Sequence, residues 1–187
     1  QAEFKNKIRY NIAFFVIGTM IPFYSGFMSM PIHPGLLIGV EYYYLRRGRV
    51  QVFQTLNLGG YLHKGFESGI FITSDFGYRY IVPAGVMSDI LIGLGYLHTF
   101  SDNHVFRQDK NGKYKKILDP GNPRFTVDVS IGLGYDFSLK TKLALAPYLR
   151  YQFFIEMPWA PGLENPILAH TGLQLGCQFP LNSNKKE

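Results

Sequence analysis

A histidine and a glutamate near the end of the chain have side chains that suit acid–base chemistry. Glu156 and His170 flank a proline-containing stretch, and pairing of the segments on either side would bring the two side chains together. A histidine beside a carboxylate is half of the arrangement that activates a serine or threonine nucleophile. His33 is a further candidate. None of the three has a nucleophile at a recognisable spacing, so the sequence assigns no catalytic residue, and a buried, hydrogen-bonded histidine is the simpler interpretation of His170.

The spacing of cysteine, histidine and glycine predicts neither a metal site nor a cofactor. Cys177 is the single cysteine, which excludes an internal disulfide and a multi-cysteine zinc site, and the five histidines are scattered without ligand spacing. The pattern Ile-Gly-Leu-Gly-Tyr occurs twice, at 92–96 and 131–135. A phosphate-binding loop needs a strand-to-helix turn after its glycines, whereas these glycines alternate with apolar residues within a strand. They are better explained as small residues on one face of a sheet.

The elements that must position these residues follow from an alternation of apolar and polar residues along almost the whole chain. From Phe125 to Ser138, seven large apolar residues fall on one face and seven small or polar residues on the other. Eight segments of this kind are predicted to be strands. They cover residues 6–17, 36–46, 49–63, 67–80, 86–100, 124–138, 141–156 and 167–179. Residues 1–35 are the least regular part, and they could contribute either a strand or a segment at the rim of the sheet.

The length of the strands and the chemistry of their faces favour a barrel in a membrane. Most of the strands have about 11–16 residues, whereas soluble strands have about 5–6 and a membrane crossing needs about 9–11. The longest apolar run, Ile12 to Ile21, is too short for a membrane helix. A soluble lipid-carrying barrel would be densely charged outside, but the polar face here is mostly glycine and alanine. We therefore predict an all-β fold, a closed antiparallel up-and-down transmembrane β-barrel of eight strands that forms one domain over residues 1–187.

Charged residues on the polar face are predicted to pair inside this barrel. Directly opposed residues of a hairpin keep a constant index sum, so partners can be read from the position of the turn. The predicted pairs are Arg79 with Asp89 across the turn at 82–85, and Asp128 with Arg150 and Asp136 with Lys142 across a turn near 139. Because unpaired buried charges cost several kcal/mol or more, the three pairs indicate a salt-bridged plug that fills the lumen. A proton or ion pathway through the lumen is the alternative.

The last strand resembles the assembly signal of small bacterial outer-membrane β-barrels. Residues 171–179 read Thr-Gly-Leu-Gln-Leu-Gly-Cys-Gln-Phe, with alternating apolar positions and an aromatic residue near the end of the chain. In that family the signal usually ends the chain, whereas eight residues follow Phe179 here. The resemblance, which is to the eight-stranded type and to the outer-membrane barrel domains of Bacteroidota, implies insertion by the barrel assembly machinery. The short connections after predicted strands two, four and six then imply that both termini are periplasmic.

Basic residues in the connection between the fifth and sixth predicted strands are candidates for binding lipid phosphates. They are Arg107, Lys110, Lys113, Lys115 and Lys116. The net charge of the chain is +6, and the phosphates of lipopolysaccharide are the anions that such a loop would meet on the outer surface. A solvated loop without a ligand explains the same residues. Nucleic acid is not expected as a partner, because no recognition fold is present.

The sequence favours a non-enzymatic function for this barrel. We expect an integral outer-membrane subunit, structural or accessory, that contacts lipopolysaccharide and other envelope proteins through its loops. A lipid A-modifying enzyme is the first alternative. Lipid A deacylases, which are also eight-stranded barrels, carry a His-x-Ser motif, and none of the five histidines here is followed by serine at that spacing. A small passive channel is the second alternative, although a lumen of eight strands is usually filled by its own side chains.

Overall fold

Eight long antiparallel strands close on themselves into a barrel in a computed structural model. The structure describes residues 7–18, 33–63, 65, 67–102, 105–108, 112–141, 143–158 and 167–180. The strands are β1 (Ile8–Gly18), β2 (His33–Arg47), β3 (Val50–Tyr61), β4 (Glu67–Ile81), β5 (Val86–Ser101), β6 (Val105–Gln108), β7 (Tyr114–Ile117), β8 (Asn122–Tyr135), β9 (Ala146–Met157) and β10 (Leu168–Pro180). Around the barrel their order is β1-β2-β3-β4-β5-β8-β9-β10, and β10 pairs with β1 to close it.

This topology confirms the predicted fold class. β1 pairs with both β2 and β10, so the irregular N-terminal part does contribute a strand. The connections β2–β3, β4–β5 and β8–β9 lie at one end, which we call the turn rim, and those after β1, β3, β5 and β9 lie at the other, which we call the loop rim. β6 and β7 form a separate two-stranded hairpin beyond the loop rim, in a connection that the sequence pattern left without secondary structure.

The connection between β8 and β9 is longer than the sequence predicts. We expected strands that run to 138 and resume at 141, but β8 ends at Tyr135 and β9 begins at Ala146. Between them, Asp136 caps a 3-10 turn over residues 137–139 by accepting a hydrogen bond from the Ser138 backbone N–H at 3.0 Å. A two-residue hairpin favours glycine or asparagine in its turn, and Leu139-Lys140 supplies neither. The wider connection changes which residues of β8 and β9 face each other.

The outward face of the strands is apolar over most of its height. Its exposed side chains include Ile12, Phe14, Leu36, Ile38, Leu56, Leu58, Ile70, Ile72, Ile90, Ile92, Leu94, Ile131, Leu133, Leu149 and Leu175. A soluble monomer rarely exposes an apolar patch of more than a few hundred Å², so a surface of this kind belongs against hydrocarbon. In the part of the chain that the structure describes, no helix has the length and apolar character to cross a membrane.

The inward face alternates large side chains with glycines that make room for them. A Cβ atom added to Gly77 would overlap the ring of Phe53, and one added to Gly176 would overlap the ring of Tyr148. Both rings are almost fully buried. The glycines of the inner wall therefore serve packing, because a lumen of eight strands is only just wide enough to hold its own side chains.

Candidate functional site

The centre of the lumen is organised by one arginine. The guanidinium of Arg79, on β4, has no solvent exposure and donates to Glu41 on β2 at 3.1 and 3.2 Å, and to Asp89 on β5 at 3.0 and 3.3 Å. It also donates to the Tyr43 hydroxyl at 2.8 Å and to the Gln178 side-chain oxygen at 3.2 Å. Such a buried cation is tolerable only because carboxylates and neutral oxygens surround it. Arg79 and Asp89 are also direct register partners, the geometry that the turn at 82–85 predicts.

The second predicted pair does not form, and its arginine joins this central cluster instead. Asp128 lies opposite Phe154, and Arg150 lies opposite Gly132, in the register of β8 and β9. The prediction of an Asp128–Arg150 pair was wrong because the longer β8–β9 connection shifts the register by four residues. Arg150 donates to Asp89 at 3.2 Å, so this carboxylate is shared by two arginines.

The carboxylate of the third predicted pair has a partner that the sequence did not predict. Asp136, at the turn rim, accepts a hydrogen bond from Arg9 of β1 at 2.9 Å. Lys142, its predicted partner, lies outside the described residues. Burial alone would raise the pKa of the Asp136 carboxyl, but the charge of Arg9 and hydrogen bonds from Ser138 outweigh burial and hold the pKa below its usual range. The pair ties the β8–β9 connection to the beginning of the barrel.

Polar residues between the centre and the loop rim form a second layer without an arginine. Asp75 accepts hydrogen bonds from the Thr55 hydroxyl at 2.6 Å and from the Asn57 amide at 2.9 Å. Asp128 accepts one from the Gln152 amide at 3.0 Å. These residues come from β3, β4, β8 and β9, so the layer spans the lumen.

A third cluster closes the loop rim around Arg124. This arginine, on β8, donates to Glu67 of β4 at 2.7 and 2.8 Å and to Glu156 of β9 at 2.8 Å. The His170 Nε2 atom lies 3.4 Å from a Glu156 oxygen, and the His170 ring stacks on Phe154 with a centroid distance of 4.6 Å. The structure therefore brings the two candidate catalytic residues together. Both are buried and face the lumen, where a lipid in the bilayer does not reach them.

His33, the remaining catalytic candidate, belongs to a histidine pair at the loop rim. Its ring stacks on that of His63, with centroids 3.4 Å apart. Burial lowers the pKa of His63 below its ordinary value; Glu67 opposes this effect and His170 adds to it. Across the described ranges, no three histidine, cysteine, aspartate or glutamate side chains are grouped so that they could hold a metal ion.

The basic connection places its described lysines on the outer hairpin. Lys115 and Lys116 are exposed residues of β7, and Lys113 is exposed just before it. Lys115 is the backbone register partner of Arg107 on β6. Lys110 lies outside the described residues. The hairpin thus carries exposed positive charge on the far side of the loop rim from the hydrocarbon belt.

Several residues of the ion-pair clusters had no predicted partner. The alternation of the strands places Arg9, Glu41, Glu67 and Arg124 on or near the inner face. Most of their partners lie on strands that are not neighbours in the sheet, although Arg124 also bonds to Glu156 of the neighbouring strand β9. Arg79 and Glu41, for example, come from β4 and β2, 38 residues apart in the chain. The constant index sum applies only to hydrogen-bonded neighbours, so it cannot find contacts across the lumen.

A closed eight-stranded barrel with an apolar outside and an ion-paired inside defines a transmembrane β-barrel of the outer-membrane type. No protein-family model matches the sequence, and no curated protein does. Neisserial surface protein A is similar in structure, with a TM-score of 0.56 and 11% identity over 92% of this chain and 94% of that one. The outer membrane enzyme PagL is similar with a TM-score of 0.51 and 11% identity over 92% and 99%. These likenesses establish the fold; the Bacteroidota relationship stays a prediction.

Proposed function

We propose that this chain is a non-enzymatic, non-conducting protein of the outer membrane that acts through the surface of its loop rim. The filled lumen is the observation that carries this proposal. Three ion-pair clusters, around Asp136, Arg79 and Arg124, cross the barrel interior at successive heights. Because a lumen of eight strands is only just wide enough for its own side chains, we infer that these clusters of described residues block it and that binding takes place at the exposed ends.

Lipopolysaccharide is the ligand that we propose for the β6–β7 hairpin. Lys113, Lys115 and Lys116 are exposed there, and Tyr114 and Leu118 next to them are 70% and 93% exposed. Lysine ammonium groups bind phosphate by charge, and the exposed tyrosine and leucine offer apolar contacts to the same ligand. The hairpin therefore combines the two chemistries that a phosphorylated glycolipid presents.

The proposed orientation puts this hairpin outside the cell and both termini in the periplasm. In barrels of this type, the short connections are periplasmic and the longer ones extracellular. The connections at the turn rim have two, four and ten residues, whereas the β5–β8 connection has twenty. We propose that the barrel assembly machinery inserts the chain and that it serves other envelope proteins as a structural or accessory subunit.

A triple substitution tests the lipopolysaccharide proposal. The variant K113Q/K115Q/K116Q, purified in a zwitterionic detergent, is titrated with lipid A and with lipid A from which the phosphates have been removed. Each lysine contributes about 1 kcal/mol at an anionic lipid surface, so the variant should lose more than tenfold in affinity for lipid A only.

The matched control is R47Q/R49Q/K140Q, which removes the same charge from exposed residues of the turn rim. It should bind lipid A as the unaltered protein does. Equal binding by the hairpin variant and the unaltered protein would refute the proposal, as would an equal loss in the control.

Two other functions are separable from this one. A lipid A-modifying enzyme is suggested by the distance of 3.4 Å between Glu156 and His170. Lipid A from cells with the H170N variant should keep its acylation pattern, and an altered pattern on mass spectrometry would favour the enzyme. A passive channel would give steady currents in planar bilayers, and we expect none from the purified protein.

A further inference from the structure

The interior carboxylates divide into those with an arginine and two without one. Asp89, Asp136, Glu41, Glu67 and Glu156 each have an arginine nitrogen within 3.2 Å. Asp75 and Asp128 have no cationic side chain within 4.0 Å among the described residues, although only 5% and 4% of their surface is exposed. Two buried negative charges without a counter-ion would be costly, so this pair needs a separate explanation.

The oxygen atoms of these two carboxyl groups are used unequally. One oxygen of each, Oδ2 of Asp75 and Oδ1 of Asp128, accepts the hydrogen bonds from Thr55, Asn57 and Gln152 described above. The other oxygens, Oδ1 of Asp75 and Oδ2 of Asp128, are buried and accept no hydrogen bond from a described residue. The two carboxyl groups thus each leave one oxygen that lacks a donor.

Gly93 brings the two unused oxygens to the same place. A Cβ atom built on this glycine would collide with Oδ1 of Asp75 and with Oδ2 of Asp128. Both oxygens therefore lie above the same bare stretch of β5, close to each other. Gly93 belongs to the first copy of the Ile-Gly-Leu-Gly-Tyr pattern, so the small residue has a specific role here.

A small cavity adjoins the pair. It has a volume of about 40 Å³, and Asp128, Thr126 and Gln152 contribute to its lining. The Thr126 hydroxyl oxygen is buried and has no partner among the described residues. A space of this size, with unused polar atoms, is large enough for water, which can hydrate the pair without neutralising it.

We propose that Asp75 and Asp128 form a proton-binding site in which a single proton, held between Oδ1 of Asp75 and Oδ2 of Asp128, is retained at neutral pH. One carboxyl group is then neutral and donates to the other, which leaves one negative charge instead of two. Two buried carboxyl groups this close to each other cannot both ionise without strong repulsion. The other charged groups that face the pair are Arg150 of β9 and Glu41 of β2. Arg150 bonds to Asp89, so it does not replace the proton.

The pH dependence of stability tests the proposal. In the unfolded chain both carboxyl groups lose their protons near pH 4. If the folded barrel keeps one proton, its unfolding equilibrium constant should rise about tenfold per pH unit from about pH 5 to about pH 7, relative to the D128N variant. In D128N the asparagine amide donates to Asp75 in place of the proton. The same slope should appear against D75N.

The D136N variant is the matched control, because Asp136 is paired with Arg9 at the turn rim, away from Arg150, and its pKa lies below its usual range. The ratio of unfolding constants between the unaltered protein and D136N should not change between pH 5 and pH 7. The unfolding constants come from urea titrations of the protein in phospholipid vesicles. If the ratios of the unfolding constant of the unaltered protein to those of D128N and D75N do not change with pH, the proposal is wrong. It is also wrong if these ratios change with sodium or calcium at fixed ionic strength, because a metal ion would then neutralise the pair.

Infrared spectroscopy of the unaltered protein provides a measurement that does not depend on the variants folding. The folded protein at neutral pH should show the C=O stretch of a protonated carboxyl group. Urea should abolish that band. A spectrum without the band in the folded state would overturn the proposal.

Discussion

Replacement of Arg79 by methionine should strongly destabilise the barrel. The guanidinium is completely buried, and six hydrogen bonds at 2.8–3.3 Å join it to Glu41, Asp89, Tyr43 and Gln178. Methionine fills a similar volume without charge, so the change acts mainly on electrostatics. Removal of one partner of a buried ion pair leaves an uncompensated charge and typically costs 3–5 kcal/mol.

The loss of Arg79 should destabilise its two carboxylate partners, Glu41 and Asp89, to different extents. Asp89 keeps Arg150 at 3.2 Å, whereas the hydrogen bonds left to the Glu41 side chain among the described residues come from the Tyr43 hydroxyl at 2.6 Å and the Gln178 amide at 2.8 Å. Most of the cost therefore arises at Glu41. The double variant R79M/E41Q removes that charge and should regain about 2 kcal/mol, roughly half of the loss.

Urea titration of the protein in phospholipid vesicles, followed by circular dichroism, measures these free energies of unfolding. The matched control is R49M. Arg49 is exposed at the turn rim and donates one hydrogen bond to Tyr80 at 3.3 Å, so its loss should change stability by no more than about 0.5 kcal/mol. A cost of less than about 1 kcal/mol for R79M, or a double variant that is no more stable than R79M, would refute the central role of Arg79 in stability.

Three further predictions use the same titration. G93A should cost about 1–3 kcal/mol, because its Cβ atom would collide with two interior carboxyl groups. The control G60A, whose Cβ atom would have no atom closer than 3.1 Å, should cost less than about 1 kcal/mol, and equal losses in the two variants would contradict this prediction. I92K should cost about 2–4 kcal/mol, because the side chain of Ile92, although 61% exposed, is surrounded by hydrocarbon. The control L118K, at a position that is 93% exposed beyond the barrel, should hardly change stability, and an I92K variant as stable as the unaltered protein would exclude a bilayer around β5. Because the lowered pKa of His63 disfavours its charged form in the folded state, the unaltered protein should lose stability relative to H63Q as the pH drops below about 6.5. An identical pH dependence of the two proteins would show that His63 makes no such contribution.

The fold could be predicted because the residues of each strand show by themselves which face is apolar and which is small or polar. From Phe125 to Tyr135 the outward residues are apolar and the inward ones small or polar. In the structure the inward residues are mostly buried and the outward residues mostly exposed, in the same alternation. Strand length and the chemistry of each face are local properties, so a single pass along the chain is enough to recognise eight strands of a membrane barrel. The hairpin of β6 and β7 was missed, because four-residue strands outside the bilayer carry no long alternation.

The ion pairs of the candidate site could be predicted only where a turn fixes the register of the two strands that it joins. Between β4 and β5, a four-residue turn ends at Gly85 with a φ of +95°, and Arg79 faces Asp89. Between β8 and β9, the 3-10 turn lengthens the connection, and the same reasoning placed Asp128 opposite the wrong residue. A change of four residues preserves which face a side chain occupies, so the inward positions were still identified while their partners were not.

The sequence by itself determined the strands, the side of the wall on which each residue lies, and the presence of many charges inside. Only the closed barrel decided which charges meet. Arg79 with Glu41, Arg9 with Asp136, and Arg124 with Glu67 join strands that are not neighbours along the chain. The physical reason is that closure folds the inner faces of all eight strands onto one narrow axis, and distances across that axis depend on the tilt and stagger of the whole barrel, which no single strand encodes.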